Sequence, residues 1–341
     1  MNKRIIISAA AVVVIAAGLF FLWPSGGGNK GATEGTAVTP QNGQLPEELT
    51  IDYANWSALS LIIKELGILE DEFKGDNVKV TWVFNPGGPK AMEYLLSGSA
   101  DIAASADISL LLSAINGNPI TTFYAVENRE YPILVKPDSD INDLSGLVGK
   151  KLSVALATGP YATVLKSLDA SGINIKDINI VPLQHADGKN QLIQGEVDAW
   201  CGGDPFWTQA ELGGAKVIYR NPEFNGINLL SVRNEFLEQY PEAVYRVMAA
   251  YRKARQWVKD NPEEYIELIS RLTKIPIDEA RPMLEKNDFD VDAVNEKAVN
   301  SIIATGTLFQ KAGIIKPDID VAGVVNRVYD NSYFEEFDKR N

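Results

Sequence analysis

The sequence is short of the residues that most often carry catalysis. It has a single cysteine, Cys201, and a single histidine, His185. No intrachain disulfide is possible. A Cys/His zinc site, a Ser-His-Asp triad or a Cys-His dyad would each need that one imidazole. Carboxylate chemistry stays open on these counts. Positive charge is also scarce: 32 Lys and Arg face 45 Asp and Glu, for a formal net charge of −13. General nucleic-acid binders carry a basic balance, so that class is disfavoured. What the chain does have is 45% apolar and 23% charged residues over 341 positions. That is a globular profile, long enough for one large or two medium domains.

The first 23 residues are distinct. Lys3 and Arg4 precede an apolar run from Ile5 to Trp23, about the length that spans a bilayer. Bulky Leu19, Phe20, Phe21, Leu22 and Trp23 stand where a signal cleavage site would need small residues. An uncleaved anchor is therefore favoured over a cleaved signal. No cysteine follows for a lipid anchor. In either case the basic start stays in the cytoplasm and the rest is exported. Residues 24–46 hold Gly26-Gly27-Gly28, Gly31, Gly35, Pro40 and Gly43 and read as a flexible linker.

Strands and helices then alternate. Leu49–Ala54, Val78–Phe84, Asp101–Ala104 and Ile120–Val126 read as strands, separated by helical segments. This pattern implies a largely parallel sheet with helices on both faces. A second run of the same kind spans Leu152 to Tyr219. The two runs share an order: strand, Gly-Pro turn, helix, Gly, Asp-led strand. Gly98-Ser99-Ala100-Asp101-Ile102 and Gly195-Glu196-Val197-Asp198-Ala199 hold the same place in each. The expected organisation is lobe 1 over 47–128, lobe 2 over 129–221, and a return to lobe 1 with C-terminal helices over 222–341.

Open α/β sheets bind ligands outside the carboxyl ends of their strands. Two turns there look alike: Phe84-Asn85-Pro86-Gly87-Gly88-Pro89 and Thr158-Gly159-Pro160. Each joins a strand to a helix whose first turn carries proline. Gly admits close approach to the backbone. Free first-turn N–H groups and the helix dipole can hold an anion without a cationic side chain. Neither turn is a dinucleotide fingerprint or a P-loop. Other candidates for ligand contact follow strand ends: Tyr53, Asn55 and Trp56 after the first strand, Ser105 after the third, and Asp204 before Pro205, where a helix cap is the favoured role. Asp107 reads as a helix cap and Cys201 as a small buried residue. Glu127, Asn128, Arg129 and His185 read by default as surface or rim.

Val80-Thr81-Trp82-Val83-Phe84, Gly88-Pro89 and Leu95-Leu96-Ser97-Gly98-Ser99-Ala100-Asp101-Ile102 resemble the substrate-binding proteins of ABC importers for aliphatic sulfonates, taurine and nitrate. Gly149-Lys150-Lys151-Leu152, Thr158-Gly159, Gly195 to Trp200 and Asp204-Pro205-Phe206 continue the resemblance. It implies a type II periplasmic-binding-protein fold, two α/β lobes closing on a solute with a helical C-terminal region. It implies an ABC permease as partner, an extracytoplasmic location, no cofactor and no enzymatic activity. The site it implies comprises Tyr53, Asn55, Trp56, Gly87, Gly88, Ser105, Thr158, Gly159, Tyr161 and Asp204, around a small sulfonate- or taurine-like anion. The chain departs from the family where sulfonate binders often carry Gly-Ser-Ser or Gly-Ser-Thr. Here Gly159-Pro160-Tyr161 loses one N–H donor and gains a phenol. A binder of a thiamine-precursor pyrimidine or other heterocycle, and a ligand-sensing ectodomain, are the alternatives.

Overall fold

Two five-stranded sheets carry the alternation read from the sequence. The computed structural model describes residues 43–291 and 293–340, which belong to one unit. The apolar N-terminal segment and most of the linker, residues 1–42, fall outside the described residues. Among the described residues no helix is long and apolar enough to cross a membrane.

The first lobe runs β1 (Glu48–Tyr53), α1 (Ala58–Glu65), α2 (Ile68–Phe73), β2 (Lys79–Phe84), α3 (Gly88–Ser97), β3 (Ile102–Ala106), α4 (Asp107–Ile115) and β4 (Ile120–Arg129). The second runs β5 (Ile133–Val135), β6 (Lys151–Ser153), α5 (Gly159–Ala170), β7 (Asn179–Val181), α6 (His185–Gln194), β8 (Ala199–Cys201), α7 (Phe206–Leu212) and β9 (Lys216–Tyr219). The chain then returns as β10 (Gly226–Arg233). It ends in α8 (Asn234–Gln239), α9 (Pro241–Asp260), α10 (Pro262–Thr273), α11 (Ile277–Leu284), α12 (Glu296–Lys311), α13 (Val321–Val328) and α14 (Ser332–Arg340).

Four of the five strands in each sheet run the same way, as the alternation implies, and one opposes them, so both sheets are mixed. Strand orders are β2-β1-β3-β10-β4 and β7-β6-β8-β5-β9. β1 lies parallel to β2 and β3, and β6 parallel to β7 and β8. β10 is antiparallel to β3 and β4, and β5 is antiparallel to β8 and β9. In each sheet the antiparallel strand is the one that has just crossed from the other lobe. β6 also stops at Ser153, short of the Leu156 expected from its apolar run. Leu156 is half exposed, and Ala157 takes a positive φ of 58°.

The Asp-led motif shared by the two runs has a structural cause. Asp101 takes the Thr50 N–H on its carboxylate at 2.8 Å and returns its own N–H to the Thr50 carbonyl at 2.8 Å. Asp198 does the same with Lys151, at 2.8 and 2.9 Å. In each lobe this pair fixes the register between the first parallel strand and the strand following the Gly turn. Gly98 and Gly195 end their helices at φ 72° and 77°, a conformation that costs a Cβ-bearing residue more.

α9 covers the first sheet beside α1 and α2, where Leu59, Ile62, Phe73, Val247 and Met248 are almost fully buried. Each such side chain contributes about 1.5–3 kcal/mol of burial. α12 packs on both lobes, touching α4 and α5. α7 meets α11 and the turn after it: Gln209 Nε2 donates to Glu279 of α11 at 3.1 Å, and Lys286, just past α11, pairs with Glu211 at 3.1 Å.

Candidate functional site

The carboxyl ends of the parallel strands in both sheets open onto one cavity of about 540 Å³, within the usual range for small-molecule sites. Lobe 1 supplies Asn55 and Trp56 after β1, the Phe84–Pro89 turn after β2, and Ala106 and Ser109 at the start of α4. Lobe 2 supplies Leu156, Thr158, Gly159 and Pro160 before α5, Gln184 and His185 at the start of α6, and Gly203 to Phe206 before α7. The interlobe segments add Arg129, Tyr131 and Asn228, and Thr273 to Ile275 complete the wall. Several helix starts therefore face one space, each with backbone donors lacking an intrahelical partner.

The two Gly-Pro turns lie on opposite walls. Thr158 is the N-cap of α5, in extended conformation, with its hydroxyl donating to the Ala155 carbonyl at 2.6 Å. Gly87 is the N-cap of α3, and Asn85 Oδ1 accepts its N–H at 2.8 Å. The lobes already touch between these turns, where the Ser109 hydroxyl donates to the Ala157 carbonyl at 3.0 Å.

Arg129 is the main charge of the cleft. It ends β4, which runs three residues past the Val126 expected from the sequence, and its side chain is only 10% exposed. Its Nη1 lies 3.6 Å from Oε2 of the fully buried Glu127, and its Nη2 reaches the Asp204 carbonyl at 3.4 Å. Asn228 of β10 donates to the other Glu127 oxygen at 3.0 Å. Burial pushes the Glu127 carboxyl up, and Arg129 opposes that shift. The surface default for Glu127 and Arg129 is thus corrected. The reason is β10, which inserts beside β4 and covers it.

His185 is likewise a wall residue rather than a rim or surface one. Its Nδ1 accepts the Gly203 N–H at 3.2 Å, which leaves the proton on Nε2. Burial, with Arg129 adding to it, lowers its pKa from 6.5 to about 4. The imidazole is therefore a neutral donor at physiological pH. A depressed folded pKa gives stability that is present above 6.5 and is lost as pH falls toward 4. The stability advantage of the wild type over His185→Gln is expected to shrink across that window. Thermal melts of both proteins from pH 7.5 to 4 check it, and a constant difference would contradict the buried neutral imidazole.

Asp204 also faces the cavity. The N-cap of α7 is Pro205, so the expected cap, Asp204, stands one residue before that position; its carboxylate still accepts a first-turn N–H, that of Thr208, at 3.1 Å. Burial raises its pKa, with Arg129 acting against the shift. The Asp204–Pro205 bond is cis.

Of the ten residues singled out from the sequence, Asn55, Trp56, Gly87, Gly88, Thr158, Gly159 and Asp204 line this cavity. Tyr53, Ser105 and Tyr161 stand elsewhere. The Tyr53 ring packs edge-on against Trp82 and Phe84, because alternation along β1 puts it on the face of Leu49 and Ile51, beside α1. Ser105 is fully buried in β3 and donates to the Ala106 carbonyl at 3.2 Å. Tyr161 is 8% exposed and meets Phe309 of α12 edge-on at 5.6 Å. At the third position of α5, helical geometry turns it away from the cleft and onto α12. Sequence reasoning missed Tyr131, Asn228, Gln184, Gln209 and Lys274 as wall residues. Tyr131 and Asn228 come from the crossovers and Lys274 from a helix end distant in the chain, where the sequence carries no signal; Gln184, at the start of α6, and Gln209, in α7, stand beside His185 and Asp204, turns the sequence had already marked. Cys201 is fully buried and absent from the wall, as expected. Among the described residues no group of His, Cys, Asp and Glu is arranged to hold a metal ion.

Known proteins share this architecture. A Bacillus subtilis (strain 168) protein assigned as aliphatic sulfonates-binding is 26% identical over 281 residues, covering 81% of this chain and 85% of that protein. The crystal structure of the periplasmic aliphatic sulphonate binding protein SsuA from Escherichia coli superposes with a TM-score of 0.76 at 24% identity, over 85% of this chain and all of that one (100%). The alkanesulfonate-binding protein SsuA from Xanthomonas axonopodis pv. citri, bound to MOPS, gives 0.74 at 22% identity, over 82% and 98% of the two chains. These likenesses show the fold to be of the type II periplasmic-binding-protein kind. The family model described as "NMT1/THI5 like" matches residues 72–265. With more than half of its length matched, the chain belongs to the NMT1/THI5-like family.

Proposed function

We propose that the protein is the extracytoplasmic solute-binding subunit of an ABC importer, and that its interlobe cleft takes an organic sulfonate. The observation that carries this reading is Arg129. A guanidinium stands where the lobes join, in a cavity onto which the starts of α3 and α5 open from opposite walls. Helix ends alone contribute about 0.3–1 kcal/mol each, up to ~2 when partly buried. A micromolar ligand needs about 8 kcal/mol. Charge-assisted hydrogen bonds, at about 1.5–3 kcal/mol each, and apolar burial supply the difference. Trp56, Phe84, Leu156, Phe206 and Ile275 give the cavity its apolar part. Taurine or nitrate would leave most of the 540 Å³ unfilled. An alkyl or aryl sulfonate with several carbons fits better.

A binding role also agrees with the chemistry of the wall. The single cysteine is sealed under the cleft, hydrogen-bonding distance from the Tyr131 and Pro160 carbonyls, and burial pushes its thiol pKa up. It is not placed as a nucleophile. In this reading the apolar segment from Ile5 to Trp23 tethers or exports the protein, and the permease is its partner.

Calorimetric titration of the purified protein tests the ligand class. Hexane-1-sulfonate and naphthalene-2-sulfonate are expected to bind in the micromolar range or tighter, with taurine and nitrate at least tenfold weaker. Asp204 beside the aromatic wall favours one second reading, a cationic or amino-substituted pyrimidine. Binding of aminopyrimidines with no response to any sulfonate would replace the first reading with the second.

A further inference from the structure

Beneath the first-lobe turn lies a carboxylate that ligand binding, as described above, does not use. Asp52 on β1 is 1% exposed. Both of its oxygens accept the Ala104 N–H at 3.0 Å, and Oδ2 also accepts from Asn85 Nδ2 at 2.5 Å. The second Nδ2 proton of Asn85 goes to the Ala104 carbonyl at 2.9 Å. The remaining amide atom, Oδ1, accepts the Gly87 N–H at 2.8 Å. Every polar group of this cavity-lining asparagine is therefore committed. Two acceptors below it, one a carboxylate, force the amide nitrogen downward. That leaves the oxygen facing Gly87 and closes an Asx turn.

We propose that Asp52 is a positioning residue of the binding site: through Asn85 it orients the Gly87-Gly88 turn that forms the first-lobe wall. It touches no ligand itself. The inference rests on the cleft being the solute site, although the position of the turn can be read without any ligand. Tolerance for error in this turn is small. A Cβ on Gly88 would stand 2.5 Å from Ser109 Oγ, the hydroxyl that reaches across to Ala157. A shift of the turn would thus disturb the contact between the lobes as well.

Asparagine at position 52 cannot reproduce the carboxylate. With its oxygen toward Asn85, its NH₂ faces the Ala104 N–H. With its oxygen toward Ala104, its NH₂ faces Asn85 Nδ2. Protonation of Asp52 creates the same conflict, since both oxygens already accept. Burial raises the Asp52 pKa from 3.8 to about 7, against the pull of the Ala104 and Asn85 donors. The turn is then expected to respond to pH near neutrality. Of the groups facing Asp52, Asn85 and Ala104 do not titrate, and Tyr251 on α9 is held neutral by its own burial.

The test needs two readouts. In ¹H–¹⁵N spectra of the ligand-free wild-type protein, the Gly87 amide resonance is expected to follow one ionisation with a midpoint near 7. In Asp52→Asn it is expected to be displaced and flat with pH. With hexane-1-sulfonate as probe, Asp52→Asn is expected to weaken Kd about tenfold, Asn85→Ala by a similar factor, and the double variant no further. A Gly87 resonance unmoved by Asp52→Asn, or losses that multiply in the double variant, would overturn the proposal. If the wild type binds no sulfonate, the solute reading fails by itself, and the displacement of the Gly87 resonance by Asp52→Asn still decides the role of Asp52. Asp52→Ser, read in the same spectra, decides it if Asp52→Asn does not fold.

Discussion

Replacing Arg129 by glutamine is expected to weaken binding of hexane-1-sulfonate by a hundredfold or more. The guanidinium lines the cavity at the end of β4, and it is nearly shut from water. A charge-assisted hydrogen bond is worth about 1.5–3 kcal/mol, and Arg can make two to one oxyanion. Glutamine retains one neutral donor. The substitution should also destabilise the protein, for a separate reason. Glu127 is fully buried, and its Oε2 has no hydrogen-bond partner among the described residues. Its charge is balanced mainly by Arg129, with Arg255 further off. Removing one member of a buried pair typically costs about 3–5 kcal/mol because the other stays behind uncompensated.

The two effects separate in the double variant Glu127→Gln/Arg129→Gln. Stability should largely return, since no buried charge is stranded. Affinity should not return, since the anion's partner is still missing. Thermal melts and calorimetry on the wild type, both single variants and the double variant give the answer. Recovery of both quantities together would mean that Arg129 serves the fold and not the ligand.

Much of this architecture is legible in the sequence, because the signals that specify it are local. Strand–helix alternation follows from hydrophobic period, and helix ends from Gly98 and Gly195. The paired turns follow from Gly and Pro at strand ends. The repeat of the Asp-led motif is also visible in the sequence, although its cause is not local: each Asp exchanges hydrogen bonds with a strand some fifty residues earlier. What is not legible depends on partners distant in the chain. Glu127 and Arg129 look like surface charges until β10 is laid against β4. β5 is three residues long and carries no period of its own, so the crossover strand passes unnoticed. Tyr161 has the composition of a ligand contact, but α12, some 150 residues later, takes its ring.

The Thr158-Gly159-Pro160 turn is legible as a ligand device, yet the reason for its glycine lies on another segment. Gly159→Ala is expected to lower affinity for hexane-1-sulfonate at least tenfold and to reduce stability by about 1–3 kcal/mol, the usual cost of overpacking. A Cβ there would sit 2.6 Å from Tyr131 Cε2 and 2.8 Å from its hydroxyl. The ring cannot easily withdraw. A Cβ on Gly226 would lie 2.7 Å from the same Cε2, and one on Gly203 would lie 3.4 Å from Cε1. Three glycines on three segments thus form a cage for one ring, and both crossovers meet at it. Tyr131 follows β4 on the way into lobe 2, and Gly226 opens β10 on the way back. An added methyl group must push either the hinge or the start of α5. Either movement takes the α5 N-terminus away from the anion, so stability and affinity fall together. Tyr131→Leu removes the ring atoms that collide. In the double variant Gly159→Ala/Tyr131→Leu the alanine should then cost less than it does alone, a coupling that melts and titrations both report. If Gly159→Ala keeps wild-type affinity within twofold, the backbone of this turn does not contact the solute. The anion would then be held by Arg129 and the facing wall alone.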